Sequence, residues 1–405
     1  MSYPLSVIAE AEQTYPTPVS DATFEARLTY ARRHSRYMDQ LLIARPEISG
    51  WLSAHAGSAL SANDMKAFLT TAIQEATADI DDALLRKILR QLRQRVMSHL
   101  VVRDIADGAS LAEIVETMTA LADVTTLFAL DHLHQDLAIR YGNPIGSDGE
   151  AQHLAIIGMG KLGGRELNVS SDVDYIFVYP EEGETGGRED GTGKIDNYDF
   201  FTRLGKRLIA SLNDLTEDGQ VFRVDMRLRP NGDSGPLVCS SDMLENYFIT
   251  QGREWERYAW IKARVMNEAD AACAPKMTTD IARPFIYRKY LDFGAINAMR
   301  ALHAQIRQEV TRKDRVEHIK LGPGGIREIE FIAQVFQLIR GGRDSTLQIR
   351  PTLLVLDRLG HSGHLATEDV NTLTDAYVFL RRLEHRLQYL DDAQTHMLPD
   401  APTDR

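Results

Sequence analysis

Apolar residues recur at helical spacing over the first third of the chain, and this pattern predicts an all-α region. The predicted helices cover residues 24–42, 64–76, 79–105 and 110–141. Ser110 and Glu113 have the spacing of a capping box at the start of the last helix, and Gly142 is expected to stop it. A basic run on the third helix, including Arg90 and Arg93, is expected to form a solvated face, with a partner surface as the alternative.

From residue 152 the pattern changes to short β-branched runs separated by turns. Residues 153–179 read as a strand, a glycine turn, a short helix and a second strand. An amphipathic helix is predicted over 200–215, and the strict alternation of apolar and polar residues over 219–233 predicts a half-buried strand. Helices are also predicted over 241–251 and 253–266. From about residue 275 the chain is predicted to be helical to its end, including a helix that follows the glycine turn at 322–325 and one over 376–390.

A chain of 405 residues exceeds what one hydrophobic core usually supports. We therefore predict an N-terminal helical domain (1–145), a central catalytic domain (146–270) and a C-terminal helical bundle (271–405). The formal charge of −12 argues against a general nucleic-acid or anionic-membrane binder. Two widely separated cysteines and the lack of a signal peptide or an apolar span predict a cytoplasmic protein.

Two aspartates, Asp172 and Asp174, open the second predicted strand. Residues two apart on a strand point to the same side, so both carboxylates are expected to share one small space. They repel each other unless they share a proton or a cation. Asp225, on the strand predicted over 219–233, is the candidate third carboxylate. Three acids of this kind suit Mg²⁺; the alternative is that the two aspartates end a loop and pair with arginine.

The glycine turn upstream contains Gly158, Gly160, Lys161, Gly163 and Gly164. It resembles a dinucleotide fingerprint, but only about eight residues separate it from the next strand, too few for the crossover helix of that fold. It also lacks the Lys-Ser/Thr ending of a phosphate-binding P-loop. A glycine turn followed about ten residues later by Asp-x-Asp is typical of nucleotidyltransferases, and the turn is expected to approach a phosphate.

Several other polar residues are candidate phosphate contacts. Ser170 and Ser171 precede the aspartates and either bind phosphate or cap the preceding helix. Two groups of arginines either hold phosphate oxygens or pair with acidic residues, namely Arg223, Arg227 and Arg229 beside Asp225, and the helical stripe of Arg253, Arg257 and Arg264. For Arg327, Glu328 and Glu330, at the start of a predicted helix, structural pairing is favoured.

Four motifs, at residues 157–174, 224–237, 251–258 and 262–264, resemble the glutamine synthetase adenylyltransferase family. Its members are bifunctional enzymes that add AMP to a glutamine synthetase tyrosine and remove it. The resemblance implies an α+β fold, with a nucleotidyltransferase-type mixed β-sheet core flanked by helical domains. Such enzymes contain two nucleotidyltransferase domains, and residues 319–331 are similar to the N-terminal, adenylyl-removing half. Tyr175, often aliphatic in the family, is expected to face away from the aspartates.

The resemblance also implies the chemistry of the site. Asp172, Asp174 and Asp225 would bind Mg²⁺, as a pair of ions, and the glycine turn and Ser171 would approach the nucleotide phosphate. Orthophosphate would be the co-substrate, glutamine synthetase the protein substrate, and a PII-type signalling protein a possible regulator. The predicted function is therefore deadenylylation of glutamine synthetase by phosphorolysis. The alternatives are ATP-dependent adenylylation of the same protein and a non-catalytic helical docking module.

Overall fold

The computed structural model describes residues 9–76, 80–271, 273–289, 318–399, 401 and 404. Before the sheet it contains the helices α1 (Ala9–Glu12), α2 (Phe24–Arg33), α3 (Arg36–Ala44), α4 (Glu47–His55), α5 (Ala62–Gln74), α6 (Asp82–Val101) and α7 (Leu111–Tyr141). A π-helical turn over Val102–Ala106 extends α6. Ser110 caps α7, since its hydroxyl accepts a hydrogen bond from Glu113 N (3.2 Å). Gly142, with a φ of +75°, ends it as predicted.

The helix predicted over residues 24–42 is in fact two helices, because Ser35 begins a new one. Its side chain accepts a hydrogen bond from Met38 N (3.1 Å) and donates one to Tyr389 O (2.6 Å). Ser35 is buried, caps α3 and contacts the end of a later helix, so the chain must break between α2 and α3 at this residue. The spacing of apolar residues does not reveal this break. Helix α4 was not predicted.

The basic run of α6 is solvated only in part: the prediction was wrong for Arg90 and Arg93, whereas Lys87 is exposed. Arg90 is fully buried and donates to Ser211 O (2.9 Å) and Gly219 O (2.8 Å) near the end of a later helix. Arg93 is also buried and forms a bidentate pair with Asp392, with distances of 2.7 and 2.8 Å. A buried guanidinium group requires several hydrogen-bond acceptors. Because these acceptors lie far along the sequence, the two arginines connect α6 to distant parts of the chain.

The centre of the chain forms a five-stranded mixed sheet. Its elements are β1 (Ala155–Gly158), α8 (Gly160–Gly163), β2 (Val173–Tyr179), α9 (Asn197–Asn213), β3 (Val224–Asp225), β4 (Val238–Ser240), α10 (Ser241–Thr250), α11 (Glu254–Trp260) and β5 (Arg264–Val265). Strand β2 is central, with β1 antiparallel on one side. On the other side of β2 two strands pair with it in parallel. Strand β3 lies beside the start of β2, and β4 lies beside its end. Strand β5 pairs with β1.

Two predictions in this region were wrong. The alternating segment 219–233 forms a strand only at Val224–Asp225, after which the chain turns away before returning as β4. The helix predicted over 253–266 ends at Trp260, and Arg264 pairs with Gly158 at the sheet edge instead. Both short strands depend on tertiary pairing with β1 or β2, which local pattern does not encode.

The last described elements are a π-helical turn (Lys276–Ala282), α12 (Arg283–Ile286), α13 (Ile326–Arg340), α14 (Thr352–His361) and α15 (Thr367–Tyr389). As predicted, α13 begins after the glycine turn at 322–325. Its C-cap is Gly341. None of the helices in the described part of the chain has the length and apolar character needed to cross a membrane.

The sheet has buried residues on both faces. One face of β2 joins the core of the N-terminal helices and α9 through Val173, Tyr175 and Phe177. The opposite face carries Ile176 and Val178, which pack with residues of α10, α11 and the π-helical turn. An α+β fold with a small mixed sheet flanked by helices is thus confirmed. The three-domain division stays a prediction.

The packing of Tyr175 leads to a stability prediction. Its side chain is buried in the core shared with the N-terminal helices, away from the aspartates, and its hydroxyl lies 2.7 Å from that of Thr126. We expect Tyr175→Phe to lower the free energy of unfolding by about 1–2 kcal/mol, because the buried Thr126 hydroxyl loses its partner. Urea denaturation measures this. An equal loss in a Thr126→Val/Tyr175→Phe double variant would contradict the assignment of the effect to this pair.

Candidate active site

The glycine turn brings backbone close to the second aspartate. Met159 N donates to the carbonyl oxygen of Asp174 (2.9 Å), and α8 follows within one residue. Gly160 has a φ of +54°, a conformation that side chains disfavour. A Cβ added to Gly160 would lie 3.4 Å from Asp174 Oδ2. A glycine at this position therefore leaves the space beside the Asp174 carboxylate open.

The other glycines of the turn meet protein atoms. A Cβ at Gly163 would overlap the backbone carbonyl of Lys262. One at Gly164 would lie 3.0 Å from Glu166 Oε2, and one at Gly158 would lie 3.1 Å from Leu162 Cγ. These three glycines allow the turn to pack closely, whereas Gly160 is the one that borders the carboxylates.

The sheet brings the predicted carboxylates to one end of β2. Asp174 and Asp225 are direct partners in the parallel register of β2 and β3, and Asp172 immediately precedes β2. All three residues are half-buried. Because Val173 and Tyr175 point into the core of the N-terminal helices, alternation directs Asp174 to the opposite face. Asp225, the candidate third carboxylate, therefore lies directly beside Asp174 on the neighbouring strand.

The two paired aspartates have opposite electrostatic environments. Burial, and then the charges of Asp172 and Asp225, raise the pKa of Asp174 to about 7. Hydrogen bonding from Arg227 lowers the pKa of Asp225. Arg227 Nε donates to both carboxylate oxygens of Asp225 (3.0 and 2.8 Å). Among the residues that the structure describes, none forms an ion pair with Asp174, whereas Asp225 has one with Arg227.

Asp172 is held from the far end of the chain. Gln394 Nε2 donates to Asp172 Oδ1 (2.8 Å), and the Ser171 hydroxyl lies 3.5 Å from the same oxygen. As the side chains of the described residues stand, no three acidic, histidine or cysteine groups are close enough together to hold a metal ion. The donors nevertheless suit Mg²⁺, which prefers hard carboxylate oxygens. Such a cation would relieve the repulsion between the Asp174 carboxylate and those of Asp172 and Asp225.

Lys161 was predicted to contact phosphate as part of the glycine turn. In the structure its side chain pairs with an acidic residue instead. Its ammonium lies 2.6 Å from Glu330 Oε1 on α13. Burial lowers the pKa of Lys161 to about 8, and the Glu330 charge opposes that shift. Burial would raise the pKa of Glu330, but the nearby lysines, first Lys161 and then Lys262, lower it to about 2. Lys161 therefore anchors the turn to the C-terminal helices.

Ser170 and Arg223 support the loop that carries the aspartates. Arg223 Nη2 donates to Ser170 O (2.8 Å), and Ser170 N donates to Gln388 Oε1 on α15 (3.0 Å). The Ser170 hydroxyl is buried and has no hydrogen-bond partner among the described residues. Arg227, whose side chain is 71% exposed, is the arginine of this group that lies directly beside a carboxylate of the site.

The arginine stripe predicted as an alternative phosphate site has structural partners. Arg257 is buried, pairs with Glu254 (2.6 Å) and donates to Ile286 O (3.0 Å). Arg264 pairs with Asp123 on α7 (2.8 Å). Structural pairing is therefore the correct interpretation for both. Arg229 likewise donates to a backbone oxygen, that of Met226 (2.8 Å).

A buried polar network beneath the glycine turn was not predicted. Lys262 Nζ lies 2.5 Å from Glu166 Oε2 and donates to Thr352 Oγ1 (2.9 Å). Arg381 on α15 donates to Glu166 O (2.7 Å) and lies 3.2 Å from Glu384. The network fixes the turn against α14 and α15. No local pattern could reveal it, because its members come from four separated segments.

The chain matches family models and known proteins over most of its length. The family model for glutamate-ammonia ligase adenylyltransferase (GlnE) matches residues 26–278, and that for GlnD PII-uridylyltransferase matches residues 300–405. Relatives named bifunctional glutamine synthetase adenylyltransferase/adenylyl-removing enzyme include those of Aromatoleum aromaticum, 58% identical over 97% of this chain, and Chromobacterium violaceum, 54% identical over 95%.

The matched part of these relatives is 40% and 41% of their length, so this chain spans less than half of each. The relative from Nitrosomonas eutropha is 53% identical over 96% of this chain, with 41% of its own length covered. The first family model matches more than half of the chain. The chain belongs to the glutamate-ammonia ligase adenylyltransferase family.

Proposed function

We propose that this chain removes AMP from an adenylylated tyrosine of glutamine synthetase by Mg²⁺-dependent phosphorolysis. The observation that carries the proposal is the pairing of Asp174 with Asp225 at the end of β2, beside Gly160 and Asp172. The names of the relatives support the class of reaction and the protein substrate. The similarity of residues 319–331 to the adenylyl-removing half of the family supports the direction.

The chemistry requires one bond to form and one to break. An oxygen of hydrogen phosphate attacks the phosphorus of tyrosyl-AMP, the bond from phosphorus to the tyrosine oxygen breaks, and ADP is released. The proton of hydrogen phosphate balances the tyrosine phenolate, which with a pKa of ~10 is a moderately good leaving group. When bound, Mg²⁺ supplies positive charge to the phosphoryl oxygens.

The residues of the chain have separate tasks in this reaction. Asp172, Asp174 and Asp225 would hold the Mg²⁺ ions, and Gln394 orients Asp172. Gly160 leaves room for the phosphoryl group beside Asp174. Arg227 is exposed and pairs with Asp225, so metal binding by Asp225 would release the guanidinium toward a phosphate oxygen. Regulation by a PII-type protein stays a prediction.

A phosphorolysis assay tests the proposal. Adenylylated glutamine synthetase is incubated with the chain, Mg²⁺ and phosphate, and ADP is measured by chromatography. We expect ADP to form, and to disappear when either phosphate or Mg²⁺ is omitted. ATP-dependent modification of unmodified synthetase without ADP from the phosphate reaction would favour the adenylylating direction. Binding to the synthetase without either reaction would favour a docking module.

A further inference from the structure

The candidate site combines three carboxylates with a reaction that requires an attacking anion. Positive side chains around the site mostly have acceptors within the protein. Arg223 donates to Ser170 O, Lys161 pairs with Glu330, and Lys262 pairs with Glu166. The two lysines have carboxylate partners at 2.6 and 2.5 Å, whereas the Arg223 guanidinium is held by a backbone carbonyl at 2.8 Å. These groups are therefore poorly suited to binding a second anion.

Lys320 is different, because it belongs to a C-terminal segment that packs next to Gln394, the residue that contacts Asp172. Ile319 N donates to His396 O (3.0 Å), and His318 and Met397 form an isolated antiparallel bridge. The segment 318–320 thus lies against residues 396–397, two residues beyond Gln394, which contacts Asp172. These two segments together form a wall beside the carboxylates.

The backbone at Lys320 is fixed by the start of α13. Ile326 N donates to Ile319 O and Arg327 N to Lys320 O, both at 3.1 Å. A Cβ added to Gly325 would lie 2.8 Å from Ile319 O and 2.9 Å from Lys320 O, so only glycine allows this close packing. The glycine turn at 322–325 therefore presets the position from which the Lys320 side chain extends.

Among the described residues, the Lys320 ammonium has no ion-pair partner. Its residue is half-buried, and among the residues that the structure describes none accepts a hydrogen bond from Nζ or forms an ion pair with it. Its neighbour Ile319 is hydrogen-bonded to His396, two residues beyond Gln394, so residue 320 lies close to the residue that contacts Asp172. A lysine ammonium near a carboxylate cluster, without an acceptor of its own, is available to a ligand.

We propose that Lys320 binds the attacking orthophosphate, as a residue of the phosphate subsite on the C-terminal wall. This inference rests on the proposed phosphorolysis, because it assigns the position of the co-substrate. The ammonium offers a point charge and three donors to a dianion that the acidic site would otherwise repel. Lys161, which the sequence places in the glycine turn, is already paired with Glu330 and has a structural role.

Steady-state kinetics with Lys320→Met test the proposal, since methionine keeps the apolar stem and removes the charge. We expect the KM for phosphate to rise at least about tenfold, with the KM for adenylylated glutamine synthetase unchanged. Lys320→Arg should retain part of the phosphate affinity. Lys66→Met, at an exposed position on α5, is the matched control and should match the wild type. An unchanged KM for phosphate in Lys320→Met overturns the proposal, whatever happens to kcat.

A binding measurement separates this proposal from the proposed function. In the presence of Mg²⁺, phosphate should raise the melting temperature of the wild-type chain and of Lys66→Met but not that of Lys320→Met. An equal phosphate-induced shift in all three overturns the assignment of Lys320, even where ADP formation is normal. A selective loss of the shift in Lys320→Met, in a chain that forms no ADP, supports the subsite while contradicting phosphorolysis. Lack of a shift in the wild type overturns the subsite.

Discussion

Asp174→Asn is expected to lower the rate of ADP formation at least about a hundredfold, with a smaller effect on the KM for the protein substrate. Asp174 is the carboxylate that pairs with Asp225 across β2 and β3 and lies beside the glycine turn. Asparagine keeps the shape of the side chain but removes the charge that would hold a metal ion. Glu189→Gln, at an exposed position, serves as the control and should retain full activity.

The same substitution is expected to stabilise the protein in the absence of divalent ions. The pKa of Asp174 is raised to about 7 in the folded protein, above its ordinary value of 3.8. Between these values the folded state holds a proton that the unfolded state releases, so the free energy of unfolding falls as pH rises through that window. Above pH 7 the penalty is complete. At pH 8 Asp174→Asn should therefore gain roughly 1–4 kcal/mol.

Melting curves recorded with and without Mg²⁺ test both the proposed metal binding by Asp174 and its predicted effect on stability. Mg²⁺ should raise the melting temperature of the wild type at pH 8 and leave that of Asp174→Asn nearly unchanged, because the variant lacks one of the ligands. A variant that is less stable than the wild type at pH 8, and that still responds to Mg²⁺, would show that Asp174 is a structural residue of the loop.

Lys262→Met is expected to destabilise the fold by about 3–5 kcal/mol. The Lys262 and Glu166 side chains are only 6% and 2% exposed, and their charged atoms lie 2.5 Å apart. Removing the lysine leaves the Glu166 carboxylate buried, with Thr352 as its neutral donor among the described residues. Lys262 also lies 3.9 Å from Glu330, so the pairing of the glycine turn with α13 would weaken as well.

The double variant Glu166→Gln/Lys262→Met provides the control for this prediction. Because it removes both charges, it should recover much of the lost stability, as measured by the urea midpoint of unfolding. Equal losses in the single and double variants would show that packing of the lysine stem, and not the unpaired carboxylate, determines the effect.

The sequence was sufficient to predict the parts of the site that depend on local spacing. Alternation in β2 placed Asp172 and Asp174 on one side, and the helical pattern located α5, α7, α9 and α13. Asp225 was predicted to lie near Asp174, and the register of β2 and β3 confirms this pairing. The prediction succeeded although the predicted strand was too long, because only the residue opposite Asp174 was decisive.

The errors share a physical cause, which is that the partners of charged residues lie far away in the sequence. Arg90 appeared solvated, yet it is buried against backbone oxygens more than a hundred residues later. Lys161 appeared to face phosphate, yet Glu330 on α13 neutralises it. Gln394, which contacts Asp172, has no local motif at all. Such contacts depend on how the helices pack, which a single sequence does not specify.

The C-terminal helices accordingly support the site as well as enclosing it. Lys161, Glu166 and Ser170 follow one another along the loop between β1 and β2, and contact Glu330 on α13, Thr352 on α14 and Gln388 on α15 respectively. A shift of these helices would therefore move the loop that carries the aspartates.

The fate of labelled phosphate tests the central claim most directly. Adenylylated glutamine synthetase is incubated with the chain, Mg²⁺ and ³²P-orthophosphate, and the nucleotides are separated. Phosphorolysis predicts that the label enters ADP as its terminal phosphate, in equal amount to the tyrosine that is freed. Two results would contradict the claim. In one, AMP is released while all the label remains in orthophosphate; in the other, the synthetase keeps its AMP.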